Sequence, residues 1–466
     1  MRYVSTRGSA PTLGFDDVLL AGLARDGGLY VPKAWPHLST AQWRRLAGLP
    51  YAEIAFRILK LYVGRAIADV DLRRMIEESY RQFGHPAVVP LKQVGANDWL
   101  LELFHGPTLA FKDVALQLVG RMFDHVLRKR HARVTIVVAT SGDTGSAAIE
   151  ACRDREAIDI FVLHPYGRVS EVQRRQMTTV PSANVHNIAV NGTFDDCQDL
   201  VKAMFNDIAF RDRMRLSAMN SINWARIVPQ IVYYAVAALR LGAPARPVAF
   251  CVPTGNFGNI FAGYAARRMG LPIERFVVGS NRNDIILRLL DSGTMRMEAV
   301  APTLSPSMDI QVSSNFERLL FELAGRKGKA VTEMMAQFRA KRTLTLRAAQ
   351  RAKLCRLFTG ARADDAQTMA VIRQTLEATG ELVDPHTAVG LAAAATRRGN
   401  PDVPMITTAT AHPAKFPDAV EKACGIRPAL PPRLAGLMDR PERVTVLPND
   451  LVSVQGFIAG KVRAAA

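Results

Sequence analysis

Apolar residues return every three or four positions across residues 50–64 ("PYAEIAFRILKLYVG") and 69–84 ("DVDLRRMIEESYRQFG"). That is the spacing of one helix face, and each run stops at a glycine. The first ninety residues therefore predict a mainly helical N-terminal unit. Beyond residue 88 the pattern changes. "AVVPLKQV" and "DWLLELF" predict short strands, and "RVTIVVAT" (133–140) is a continuous β-rich run of the kind buried in parallel sheets. A glycine-bearing turn and a helix ("SGDTGSAAIEAC") follow it. The unit recurs as strand "IDIFVLHP", helix "SEVQRRQM", strand "NVHNIAV" and helix "FDDCQDLVKAMF". It returns as strand "PVAFCV", loop "PTGNFGN", helix "IFAGYAARRMG" and strand "ERFVVGS". Alternation of this kind predicts an α/β architecture with mainly parallel sheets. Past residue 300, "SNFERLLFELAG" reads as helix and residues 330–375 as a basic helical segment. A late strand, "VPMITTAT" (403–410), can complete a sheet begun much earlier. Two interleaved α/β lobes are expected over residues 91–466, after a helical domain over residues 1–90.

Composition narrows the function classes. The 466 residues are 48% hydrophobic and 22% charged, enough for a large core in more than one lobe. No apolar run approaches the ~18 residues of a membrane-spanning helix, and "MRYVSTRGSA" lacks an apolar signal core, so a cytosolic protein with no membrane partner is expected. Five widely spaced cysteines fit reduced thiols, and no cysteine pair has metal-ligand spacing, so no metal is expected. The net charge of +18 raises nucleic-acid binding as a rival class. The densest basic stretch (339–356) has no nucleic-acid motif; Arg347 and Arg351 have the spacing of one solvated helix face. No nucleic-acid partner is expected.

Three features carry chemistry. Lys112 lies between Phe111 and the run Val114, Ala115, Leu116. Apolar surroundings lower an ammonium pKa and favour the neutral amine that attacks carbonyls. Two glycine-bearing turns, Ser141-Gly142-Asp143-Thr144 and Gly255-Asn256-Phe257-Gly258-Asn259, sit at strand-to-helix junctions. There backbone N–H groups and a helix N-terminus favour an anion. Neither turn is a dinucleotide or Walker motif. A reactive amine with two anion sites suits a phosphorylated aldehyde cofactor such as pyridoxal phosphate and an anionic substrate.

The segments "HGPTLAFKD", "ATSGDTGSAA", "NSINWARI", "PTGNFGNIFAGY", "SNFERLLFEL", "DPHTAVG" and "ATAHPAKF", with "YVSTRG" and "GLARDGGLYVP" near the start, resemble the threonine synthase family of the longer bacterial and fungal type. The resemblance spans nearly the whole chain, with its motifs in family order. It implies a fold type II pyridoxal-phosphate architecture and conversion of O-phospho-L-homoserine and water to L-threonine and phosphate, in a monomer or homodimer. It makes Lys112 the Schiff-base lysine and Gly255, Asn256, Phe257, Gly258 and Asn259 the cofactor phosphate cup. Ser141, Gly142, Asp143 and Thr144 become the loop for the substrate carboxylate. A hydroxyl from "TATAHPAKF" faces the pyridine nitrogen, Thr410 before Thr408. Asn220, Ser221, Asn223, Arg226 and Lys415 become donors to the substrate phosphate, with His412 a further candidate; His105 and Thr108 line the same cavity. Two departures stand out. Asp143 replaces the Asn of many relatives, and a carboxylate cannot donate to a carboxylate. Ser313 stands where the family usually has proline before "SNFER". The nearest enzymatic alternative is a phospho-lyase giving 2-oxobutyrate from the same substrate.

Overall fold

The computed structural model describes residues 1–463. The N-terminal lobe holds helices Phe15–Ala21, Thr40–Arg44, Tyr51–Val63 and Asp69–Tyr80. Pro50 ahead of the third helix and Gly64 behind it are the start and stop its sequence predicts. A two-stranded antiparallel ribbon, Tyr3–Ser5 with Tyr30–Pro32, joins them; its strands are too short for a periodic signal. The lobe is bound to the rest by buried polar contacts: Trp43 Nε1 donates to Met269 O (3.2 Å), Arg318 Nε to Tyr30 O (3.0 Å), and Arg7 pairs with Glu317 (2.9 Å).

Two sheets form the α/β body. One has six strands in the order Phe358–Arg362, Ile273–Ser280, Val248–Pro253, Met405–Ala409, Asp98–Glu102, Leu91–Gln93, all parallel except the last pair. The other has five parallel strands in the order Thr445–Pro448, Val185–Asn191, Ile158–Pro165, Val134–Ala139, Leu216–Ser217. The chain begins the first sheet, builds most of the second, returns to the first, and ends on the second. The late strand Met405–Ala409 sits in the middle of the six-stranded sheet. Its burial on both faces explains its continuous apolar and threonine sequence. Helix Trp224–Arg240, buried through all but its last residue, packs against helices Tyr51–Val63, Lys112–Lys129 and Gly258–Arg268. It ties the N-terminal lobe to the body.

The basic segment departs from expectation. Residues 330–375 are not one helical unit: helices Gly328–Lys341, Ala348–Cys355 and Asp365–Thr379 alternate with strands Thr343–Thr345 and Phe358–Arg362. "TLT" and "FTGA" are β-branched and aromatic pieces too brief to outweigh the arginine-rich helical pattern around them. Arg347 and Arg351 are both exposed, but Arg351 is also anchored. Its guanidinium donates to the carbonyls of Leu290 (3.2 Å) and Asp291, at the end of helix Ile285–Ser292.

Candidate active site

Four segments leave the C-terminal edges of parallel strands, where ligands of open α/β sheets gather. Strand Asp98–Glu102 leads through residues 103–111 to helix Lys112–Lys129, and Val134–Ala139 leads to helix Asp143–Cys152. Val248–Pro253 leads to helix Gly258–Arg268, and Met405–Ala409 ends at Thr410.

Lys112 opens its helix and is 9% exposed. Its turn is fixed by Phe111 N donating to Thr410 O (2.8 Å) and by Asp113, whose carboxylate accepts from Thr108 N (2.8 Å) and Oγ1 (2.7 Å). Burial pushes the Asp113 carboxyl up to about 6 against those bonds. Burial likewise pushes the Lys112 ammonium below its usual value, opposed by Asp143 and assisted by the charges of Lys415 and Arg226.

Asp143 is a hub. Its Oδ2 accepts from Lys112 Nζ (3.2 Å) and Ser307 Oγ (3.2 Å), and its Oδ1 meets Gln173 Nε2 (2.8 Å) and Lys415 Nζ (3.0 Å). Burial would push this carboxyl up; Lys415, then Lys112, outweigh it and hold the group well below the usual carboxylate range. Lys415 is fully buried and its three N–H bonds are committed, to Asp143, Thr108 O (2.7 Å) and Gln176 Oε1 (3.0 Å). The loop requires Gly142: its φ is +136°, and a Cβ there would meet the Gln173 amide at 2.5 Å.

The glycine cup is built differently. Phe257 takes a left-handed conformation (φ +63°) that turns the backbone into helix Gly258–Arg268. Asn259 Oδ1 accepts from Tyr233 (2.6 Å) and Tyr234 (2.7 Å), which leaves its buried Nδ2 without a partner. A Cβ on Gly255 would lie 3.1 Å from Met308 Cα. Ser313, the residue in the usual proline position, donates from Oγ to Gly255 O (2.6 Å) and so holds the cup from behind. Asn315 N closes the loop on Asn256 O (3.1 Å), and Asn315 Nδ2 is a second buried unpaired donor. Nearby chemistry agrees: the buried Thr408 Oγ1 and Arg226 Nε also lack partners. A phosphorylated ring compound needs this donor set, so these residues fit pyridoxal phosphate.

The remaining predicted donors divide. Asn223 caps helix Trp224–Arg240, accepting from Ala225 N (2.9 Å) and donating to Leu19 O (2.8 Å), so its amide serves the fold. Asn220 and Ser221 are half-buried in the turn before it, and Asn220 Oδ1 accepts from Ile222 N (3.3 Å). Arg226 is buried, reaches Met219 O (3.4 Å), and is pushed down to about 10 by burial. His105 bonds Glu102 (2.7 Å), and burial first, then the charges of His105 and Arg433, lower His412 to about 4. Gln173, Gln176, Ser307 and His386 escaped the sequence reading. The first two had a signal: in the strongly polar helix Glu171–Thr178 they are three apart on the buried face with Val172 and Met177.

Comparison with known proteins gives a consistent result. Residues 2–80 match the family described as threonine synthase N terminus, residues 86–406 that of pyridoxal-phosphate dependent enzymes, and residues 387–458 threonine synthase, C-terminal. The chain is 57% identical to a threonine synthase of Pseudomonas aeruginosa, with 98% of each chain covered. It superposes on a pyridoxal-phosphate-bound threonine synthase from Brucella melitensis with a TM-score of 0.98 at 54% identity, covering both chains completely. For the yeast threonine synthase the TM-score is 0.94 at 38% identity, over 99% of this chain and 98% of that one.

Proposed function

The chain belongs to the threonine synthase family, and from that premise we propose that it converts O-phospho-L-homoserine and water to L-threonine and phosphate. The cofactor is pyridoxal 5'-phosphate. The observation that carries the reading is Lys112 itself: a buried amine, depressed by burial, at the strand edges shared by a carboxylate loop and a cup of unpaired donors.

Lys112 would hold the cofactor covalently. Gly255–Asn259 and the Asn259 amide would hold its phosphate, and the Thr410 or Thr408 hydroxyl would face its ring nitrogen. When bound, the ring withdraws electrons from substrate carbons and so acidifies their protons. The protein's own groups do the rest. Lys112 Nζ, once exchanged for the substrate amine, would move one proton at a time: it would accept the Cα proton, give it up, and as a neutral amine again accept a Cβ proton as phosphate leaves Cγ; water would then add at Cβ while protons return to Cγ and Cα. Gly142 N is taken by Thr140 Oγ1 (2.9 Å), so the backbone N–H groups of Ser141, Asp143 and Thr144 would receive the substrate carboxylate at the helix N-terminus. The Asp143 side chain serves as counter-ion to Lys112 and Lys415, a role a carboxylate can fill. Arg226, with its free Nε and fork of donors, is the strongest candidate for the substrate phosphate, joined by Asn220 and Ser221. Lys415 adds positive charge to the same pocket.

The experiment supplies the loaded protein with O-phospho-L-homoserine and quantifies both threonine and 2-oxobutyrate. Threonine as the main product supports the reading. A product that is mainly 2-oxobutyrate makes the protein a phospho-lyase.

A further inference from the structure

The motif "DPHTAVG" contributes no group to the chemistry above, yet it reaches the active site. Asp384 is fully buried and caps helix Pro385–Thr396, accepting from His386 N (3.0 Å) and Thr387 N (3.0 Å). Its Oδ2 also meets His386 Nδ1 at 2.6 Å. A carboxylate only accepts, so the imidazole carries its proton on Nδ1 and leaves Nε2 as an acceptor. Ser307 N fills that acceptor at 3.2 Å. Ser307 lies in the short 3₁₀ helix Pro306–Met308, and its Oγ donates to Asp143 Oδ2, the oxygen that meets Lys112. Met308, in the same turn, is the backbone against which Gly255 packs. The helix start 384–387 thus fixes one short turn, and the turn touches both the counter-ion of the lysine and the back of the cup.

We propose that His386 is a positioning residue for Lys112, acting through Ser307 and Asp143 across the boundary between the two sheets. The link passes through the amide of Ser307, which does not exchange protons with its neighbours. It therefore conveys geometry rather than a proton. Asp143 Oδ1 is held from its own lobe by Gln173, whereas Ser307 supplies the hold on Oδ2 from the six-stranded side. Without it the carboxylate swings toward Lys415, and Lys112 loses part of the charge that keeps its ammonium form. The charged groups facing Lys112 are Asp143, Lys415 and Arg226; those facing His386 are Asp384, Asp143 and Asp309.

The inference rests on the synthase reading, and its test does not use turnover. The full chain, freed of cofactor, is labelled with a small amine-reactive reagent over a pH series, and modification of the Lys112 peptide is followed by mass spectrometry. Loss of the carboxylate's hold raises the neutral-amine fraction, so labelling near pH 7 rises about tenfold in Asp143→Asn and about threefold in Ser307→Ala and His386→Phe, which correspond to a full and a half unit in the amine's titration. His386→Gln, whose amide oxygen can accept from Ser307 N, returns to the wild-type profile. A merely structural role predicts a lower unfolding temperature for His386→Phe with an unchanged Lys112 profile, and that result overturns the inference. Ser307→Ala, a loss of one hydroxyl, decides the matter if His386→Phe does not fold: an unchanged profile there also overturns it. A protein that makes no threonine yet shows these shifts loses the synthase reading and keeps this one.

Discussion

The two loops that frame the site are built on opposite principles. Around Asp143 every strong polar group is satisfied: four donors share its two oxygens, and Lys415 spends all its N–H bonds on protein. Around Gly255–Asn259 the reverse holds, for Asn259 Nδ2 and Asn315 Nδ2 are buried without partners. Buried donors left unpaired cost on the order of 1–3 kcal/mol each, so their presence marks where a ligand completes the structure. On the proposed reading the saturated loop would tune the amine and the unsaturated one would receive the cofactor phosphate. Satisfaction of hydrogen bonds, more than residue type, separates positioning from binding here.

Removing the amine should produce the largest effect. Lys112→Ala is expected to lower threonine formation by at least about 10³-fold, the upper part of the range for a positioned acid–base group, with loss of the lysine–cofactor absorbance band; steady-state rates and a spectrum check both. Breaking the saturated loop comes next. Lys415→Met leaves a buried carboxylate with one cation, and about 3 kcal/mol of stability should be lost, read by denaturant unfolding. The same loop predicts an acid limb. Because Asp143 is depressed in the folded protein, its contribution is complete above the unfolded carboxyl value of about 4. It is lost as pH falls through the lower folded value. Asp143→Asn should flatten that limb in pH-dependent thermal unfolding. A smaller change is expected in the cup: Asn259→Ala removes one donor to an anion, and cofactor affinity should weaken about tenfold in equilibrium titration, as for a hydrogen bond to a charged group. Smallest is Ser313→Ala, which removes the bond to Gly255 O. About 1 kcal/mol, several-fold in cofactor affinity, is the expected cost, with turnover of the saturated enzyme unchanged. Equal effects of Lys415→Met and Asn259→Ala on cofactor affinity would erase the contrast between the loops.

Much of this was legible in the sequence, for physical reasons. The parallel strands announce themselves as apolar β-rich runs because both faces are buried. The glycine turns and Lys112 stand out because their local chemistry is unusual. The late strand "VPMITTAT" was visible in its apolar and β-branched composition, and the structure places it in the first sheet. What was hidden depends on contacts distant in sequence. Ser307 and His386 are 79 residues apart, and Lys415 reaches Asp143 from 272 residues away. No periodicity encodes such pairs. Asn223 reads as a ligand-binding amide until the helix it caps is seen. The edge strand Phe358–Arg362 and the C-terminal strand Thr445–Pro448 are set by neighbours and not by pattern. Ser313 signals a changed turn in the sequence; only the structure shows that its hydroxyl takes over as the brace for the cup.

Two buried lysines flank one carboxylate: Lys112 is proposed as the reactive amine and Lys415 as a fixed charge whose N–H bonds are all spent on protein. Borohydride reduction of the full chain loaded with pyridoxal 5'-phosphate, followed by peptide mapping, discriminates between them directly. The expected result is a single pyridoxyl label on the peptide carrying Lys112. A label on Lys415, or none on either, would contradict the assignment.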